Sequence, residues 1–377
     1  MALVVGERAL PSMGRCMSAA TSGMPLVSGP TADYVLSRSS DDLRLIVVDS
    51  ANLMRVVEAI RHLPTARIIV LTTGIDESLL SLALQAPQIL GFLAWRTTGI
   101  RPWELSYLIR SVVTPSEVPP SSADLLLWGA STVTWRPRSS SERDQVVDTV
   151  EMVARQFGVQ TRLAQAAASA AHELLMNAMY DAPVDRSGKK KYAANRRANV
   201  HLVEHEIPTL QLTVDNTHLA LDITDPFGMM ERHHLFGGVI RGLMSTLDTS
   251  GGGAGLGLSN LFTAGSILRV EVIRGFTTQV SWVVDRTLSQ RLKRSTPRSL
   301  YFVEGAPRAT VLYQILDWAR AEGGPDALSR IRIRTLPYAL LEGINVTSVE
   351  INSTCSLELL DRIRRAASAT VGQPCPH

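Results

Sequence analysis

The chain has 377 residues, 45% hydrophobic and 19% charged, a globular composition too long for one ordinary core and suited to two or three domains of about 100 to 200 residues. Its formal charge of +3 gives no case for nucleic acid. The scattered Cys16, Cys355 and Cys375 form no CxxC pair, which argues against both a disulfide framework and a zinc site. No run approaches the roughly 18 apolar residues of a membrane span, and MALVVGERALPSMGRC lacks a long apolar signal core. The expectation is a cytoplasmic protein that meets neither nucleic acid nor membrane.

Residues 1–113 alternate the apolar runs ALVV, LRLIVVD, ARIIVLTT and ILGFLAW with amphipathic stretches such as ANLMRVVEAIRHL. Fully apolar strands between helices predict a doubly wound parallel sheet. The polar, proline-punctuated stretch at 114–123 reads as a linker. Residues 124–290 begin with the strand STVTW and a helix with Val146, Val147, Val150, Val153 and Phe157 on one face, followed by a second helix from about Arg162 to Tyr180. LQLTV and LALDIT form a hairpin around DNTH, and ILRVEVI and TTQVSWVV another around Arg274-Gly275. Helices on one face of an antiparallel sheet predict an α/β sandwich. After the break at RLKRSTPRS, residues 298–377 read as strand SLYFV, helix ATVLYQILDWARA, strands IRIRT and INVTSVEI, and helix LELLDRIRRAA, a small α/β module without a chemical motif.

Chemistry concentrates in the middle segment. Glu173 and Asn177 in HELLMNA are four apart and share a helix face, although two polar residues at that spacing usually mark solvent exposure. The glycine cluster of SGGGAGLGLSNLF is equally ambiguous alone, because glycine serves any tight turn. Taken with ITDPFG in this order and spacing, these segments resemble the three motifs of the histidine-kinase-like (GHKL) ATPase superfamily, with its Bergerat-type fold. Glu173 and Asn177 match its N-box, Asp225 and Gly228 its first glycine box, and Gly253, Gly255, Leu256 and Gly257 its second. The resemblance implies ATP and Mg²⁺ as cofactors. It makes Asn177 the metal ligand, a hard oxygen donor, and Glu173 the catalytic carboxylate. Asp225 would accept a hydrogen bond from the adenine amine, and the second box would let backbone N–H groups approach the phosphates.

The sequence departs from that family in two places. The first box usually reads Asp-x-Gly-x-Gly, whereas Asp225-Pro-Phe-Gly228-Met-Met keeps one glycine, and Tyr180 stands where histidine kinases often carry a lysine. Lys189, Lys190 or Lys191 of the insertion DRSGKKKYAANRR could supply that charge, although a charge run is more often a solvated loop. HELLM is no HExxH zinc motif, because Met176 replaces the second histidine, and the adjacent His233 and His234 cannot share a helix face.

No helix pair with a phospho-accepting histidine precedes Glu173, which sets a conventional sensor histidine kinase aside. The compact domain looks more like the bacterial anti-sigma-factor serine kinases. The first domain resembles a response-regulator receiver, with Asp49 at the phospho-acceptor position, Thr72 or Thr73 at the hydroxyl position, and GFLAWR where a lysine normally ends the strand. It offers only Glu7 for the usual acidic pair, which favours a degenerate receiver used for docking. The reading is a signalling regulator that binds Mg-ATP and phosphorylates, on Ser or Thr, or sequesters a protein partner of the regulator or sigma/anti-sigma type. It allows a homodimer. The alternative is a non-catalytic adaptor on a degenerate ATPase fold.

Overall fold

The computed structural model describes all residues except 22–23, 40–42, 64, 96–101, 114–121, 127–128, 185–188, 245–255, 276, 306–330, 336–346 and 352–377. Strands β1 (Ala2–Val4), β2 (Val27–Gly29), β3 (Leu45–Asp49), β4 (Arg67–Thr72) and β5 (Ile89–Ala94) pair in parallel in the order β2-β1-β3-β4-β5. This is a doubly wound order with its switch point between β1 and β3. The strands carry no polar alternation because both faces are covered. Leu3, Leu45, Val47, Ile69 and Leu71 meet helices α1 (Leu10–Ala20) and α5 (Pro102–Val113). The alternate residues Ala2, Val4, Ile46, Val48, Ile68 and Val70 meet α2 (Ala32–Leu36), α3 (Leu53–Ala59) and α4 (Glu77–Gln85). Asp76 caps α4 by accepting from the Leu79 amide at 2.9 Å.

The second unit is built from β6 (Ser131–Trp135), β7 (Thr209–Val214), β8 (His218–Asp225), β9 (Ile267–Ile273) and β10 (Thr277–Asp285), antiparallel in the order β9-β10-β8-β7-β6. Helices α6 (Ser140–Gln156), α7 (Thr161–Met176), α8 (Arg232–Leu243) and α9 (Leu256–Ala264) cover one face. Ser139 starts α6 by accepting from the Glu142 amide, while the Glu142 carboxylate accepts from the Arg138 amide at 2.8 Å. Helix α10 (Gln290–Ser295) follows the sheet. The hairpin strands β12 (Ile331–Thr335) and β13 (Thr347–Ile351) pair antiparallel in a separate ladder.

Strand β11 (Ser299–Gly305), the SLYFV run, pairs with neither of those two. It lies between β5, antiparallel, and β9, parallel, and makes the two sheets one of eleven strands. The β5 contact is close: a Cβ on Gly91 would stand 2.1 Å from the Leu300 carbonyl oxygen and 2.7 Å from the Tyr301 Cα. The seam also encloses the second unit's other face. There α5 lies over a buried Arg269–Glu271 ion pair, with the Arg269 guanidinium 4.4 Å from the Tyr107 ring centre and the Tyr301 hydroxyl donating to Glu104 at 2.7 Å. Just beyond, Ser122 donates to the buried Asp222 at 2.7 Å, and burial raises the pKa of that carboxyl despite the Ser281 and Ser122 hydroxyls.

Because the atoms facing Gly91 are backbone, Gly91→Ala is expected to lower stability by about 1 to 3 kcal/mol. Gly14→Ala, on α1 with open space around the added methyl, should be neutral or stabilising by up to about 1 kcal/mol. Urea midpoints of the two variants test this, and equal midpoints would mean that β5 and β11 do not approach so closely.

Candidate functional site

Helix α7 presents Glu173 and Asn177 on one flank, as their spacing requires. The buried stripe of α7, Leu163, Ala164, Ala167, Ala170, Ala171, Leu174 and Leu175, packs into the core. Glu173 and Asn177 stand on its flank, half-buried, while His172 is exposed. The Asn177 amide still donates to the Glu173 carbonyl, but from Asn177 to Asp181 the helix widens to π geometry. Such a widening is rare and frequently occurs at functional sites.

Asp225 ends β8 and is 6% exposed. Burial raises its carboxyl to about pKa 7, opposed by the amide of Phe227, the hydroxyl of Thr278 and the amide of Gly228. The Phe227 amide donates to Oδ1 at 3.0 Å, and Gly228 closes the turn with φ at +61°, the left-handed region that favours glycine. Thr278 is the register partner of Asp225 on β10. Its hydroxyl oxygen is buried beside the carboxylate yet reaches no hydrogen bond of full geometry. Sequence reasoning missed Thr278, because only the β8–β10 register brings it to Asp225.

Gly253 and Gly255 lie outside the described residues, and Leu256 is the first residue of α9. Gly257 is described, and its position is decisive: a Cβ there would stand 2.2 Å from Glu173 Oε2 and 3.1 Å from Cδ. The first turn of α9, the partially positive end of the helix, therefore rests against the Glu173 carboxylate. β8 packs on α7 and on the π turn, and α9 packs on α7. Gly257 of α9 and Glu173 of α7 are thus in direct contact, and Asp225 ends a strand packed on the same helix.

Tyr180 is turned into the core, 1% exposed, and donates to the Ala198 carbonyl at 2.9 Å while sharing a 2.8 Å hydrogen bond with Ser140. Within the insertion, Lys191 pairs with Glu206 and Lys190 is exposed. His234, at the start of α8, is held down to about pKa 4 by burial, with the neighbouring His233 and Lys190 charges adding to the effect. Lys190 therefore belongs to the electrostatic surroundings of α8. Among the described residues no three His, Cys, Asp or Glu side chains converge as metal ligands.

Asp49 lies at the switch point of the first sheet, half-buried. Its Oδ2 accepts from the Gly6 amide at 2.8 Å, and its Oδ1 accepts from the Asn52 amide and side chain at 3.0 and 2.9 Å. Thr72 is buried at the end of β4 and bonded to the Gly74 backbone. Glu7 is exposed, and Arg96 lies outside the described residues.

No family model and no curated protein matches the chain. Among solved structures it is similar to a chain of the crystal structure of the SiaB-SiaC complex from Pseudomonas aeruginosa, with 13% identity and a TM-score of 0.27 over 40% of this chain and 88% of that one. A likeness of that size has no bearing on function. Among the described residues no helix is long and apolar enough to cross a membrane.

The raised pKa of Asp225 has a thermodynamic consequence. An unfolded aspartate titrates near 3.9, so the stability linked to this group is fully present below about pH 4 and is lost as pH rises through about 7. Asp225→Asn keeps the acceptor for the Phe227 amide and removes the titration. Urea titrations from pH 4 to pH 8 should show the variant gaining on wild type as pH rises, by on the order of 1.4 kcal/mol for each tenfold by which folding tightens the carboxyl's hold on its proton. Parallel curves would contradict the burial assigned to Asp225.

Proposed function

We propose that the chain binds Mg-ATP between α7, α9 and the end of β8, and that it uses the nucleotide to act on a protein partner in signalling. The observation that carries this reading is the approach of Gly257 to Glu173. Because Gly257 has no side chain, the start of α9 can lie directly against the Glu173 carboxylate, which puts the carboxylate beside a helix N-terminus of the kind that binds phosphate oxygens. Asp225 supplies the other end. Its buried carboxylate is costly when ionised, and a hydrogen bond from the adenine amine offsets that cost. Guanine presents an oxygen at that position and would be rejected.

The residues present fit a magnesium ion. The Asn177 side-chain oxygen is a hard donor, and Mg²⁺ usually takes one or two protein ligands and fills its shell with water and phosphate. When bound, the ion would neutralise phosphate charge. Glu173 would accept the proton of a serine or threonine hydroxyl on the partner as that oxygen bonds to the γ-phosphorus. The bond from the γ-phosphorus to the bridging oxygen breaks and ADP leaves. The partner class is a regulator or a sigma/anti-sigma-type protein, the chemistry is that of a protein serine/threonine kinase, and a homodimer is compatible with it. The burial of Tyr180 where a phosphate-facing lysine would stand favours a second reading, a non-catalytic adaptor that binds nucleotide or partner without transfer. Asp49 would then belong to a docking unit.

Calorimetry of ATP with Mg²⁺ tests the first reading. Asn177→Ala and Asp225→Ala are each expected to weaken binding by about 1 to 3 kcal/mol, or roughly five- to a hundredfold. Glu173→Gln should bind within about threefold of wild type but release no ADP. Absence of wild-type binding at millimolar ATP would leave the adaptor, as would ADP release that the Glu173→Gln substitution does not change.

A further inference from the structure

Helix α8 joins the two glycine boxes in sequence, and its first residue reaches into the N-terminal unit. The Arg232 Nη2 donates to the Ala83 carbonyl at 2.8 Å and to the Ile89 carbonyl at 2.6 Å, at the end of α4 and the start of β5. The guanidinium lies 5.1 Å from the Phe236 ring centre and 5.6 Å from that of Phe302 on β11. Phe236 in turn meets Phe92 of β5 edge-on at 6.2 Å. Burial lowers the Arg232 pKa to about 10, and Glu304 is the carboxylate that opposes this. A cation this desolvated leans on the two hydrogen bonds of Nη2, because its buried Nε has no partner among the described residues.

The approach to α8 is fastened as well. The Arg274 guanidinium donates to the Met230 carbonyl at 2.8 Å and pairs with Glu304 at the end of β11. The other end of α8 lies against α9, so close that a Cβ on Gly242 would stand 1.7 Å from the Ser259 hydroxyl and 2.3 Å from its Cβ. Helix α9 carries Gly257, which rests on Glu173. A continuous series of tight contacts therefore runs from α4 and β5 through α8 and α9 to the N-box carboxylate. Close-packed contacts of this kind shift together rather than deform.

We propose that α8 couples the N-terminal unit to the nucleotide site, and that Arg232 is the positioning residue that fastens it. The inference rests on the nucleotide reading given above and adds its regulation: a change at the α4–β5 end of the first unit alters nucleotide affinity, and nucleotide alters that end by the same factor. The N-terminal unit is then a clamp that holds the site in order, not a separate module on a linker.

Hydrogen exchange of the full chain with and without Mg-ATP, for wild type, Arg232→Ala and Arg232→Lys, tests the coupling. In wild type, ATP is expected to slow exchange at residues 83–89 as well as in α8. In Arg232→Ala, the α8 amides should exchange about tenfold faster without nucleotide, ATP affinity should fall about five- to tenfold, and the response at residues 83–89 should vanish while α6 keeps its protection. Arg232→Lys, whose ammonium can still bridge two carbonyls, should restore the response at least in part, which separates fastening from a general loss of stability. Retention of the response at residues 83–89 in Arg232→Ala, or unchanged α8 exchange, would overturn the proposal. If wild type binds ATP but residues 83–89 never respond, only the coupling fails. If wild type binds no ATP, the nucleotide reading fails and the coupling with it.

Discussion

The contact on which this architecture depends is the approach of Gly91 to the backbone of β11. Two sheets of different kind, one parallel and one antiparallel, share a single strand, and that strand can reach β5 only where no side chain intervenes. Sharing it removes two edges at once. The free edge of β5 and the free edge of β9 would otherwise expose unpaired N–H and C=O groups to other chains. Ser299 reinforces the join by accepting from the Ala94 amide at 3.0 Å in the buried interior.

Once the sheets are joined, α5 is carried over the back of the second sheet, and the chemistry of that face follows. Arg269 and Glu271 are 2% and 3% exposed, where either charge alone would cost several kcal/mol. They are tolerated because they pair with each other beneath the Tyr107 ring. Such a pair contributes little net stability but does not tolerate misplacement. It therefore fixes how α5 sits, and with it the relation of the first unit to the second. The front face carries the same relation through Arg232. The candidate site thus lies in a layer whose position is set from both sides by the N-terminal unit.

Much of this was legible in the sequence, and the unread remainder has physical reasons. LIVVD and IIVLT announce buried parallel strands because they have no polar alternation, and Val146, Val147, Val150, Val153 and Phe157 announce α6 by their spacing on one face. The three residues of β2, Val-Ser-Gly, carry no apolar signal, so nothing marked them as the strand that completes the first sheet. ILRVEVI alternates as a strand with one wet face would, yet its polar face is buried, since alternation reports two unlike faces and not what covers them. SLYFV is recognisable as a strand, but its neighbours β5 and β9 are far away in sequence, and no local pattern encodes such pairing. The site shows the same division. Glu173, Asn177 and Asp225 could be picked out from motif and spacing, whereas the contact of Gly257 with Glu173 and the pairing of Thr278 with Asp225 exist only through the packing of α9 on α7 and the register of β10.

Two aspartates were candidates for chemistry, and their surroundings separate them. Asp49 ends a strand at a switch point, where ligands commonly bind, and its oxygens accept three hydrogen bonds from Gly6 and Asn52, which hold the turn that leads into α3. Asp225 is the reverse case. It is buried deeply enough for its pKa to rise to about 7, and the hydroxyl beside it makes no full hydrogen bond. Burying a carboxylate makes its ionisation costly, and the Phe227 amide offsets part of that cost at Oδ1. A planar ligand that brings an N–H donor to Asp225 and an acceptor to Thr278 would satisfy both groups at once. That difference in surroundings, more than the match of either segment to a motif, is the physical argument for looking to the second unit in the nucleotide proposal.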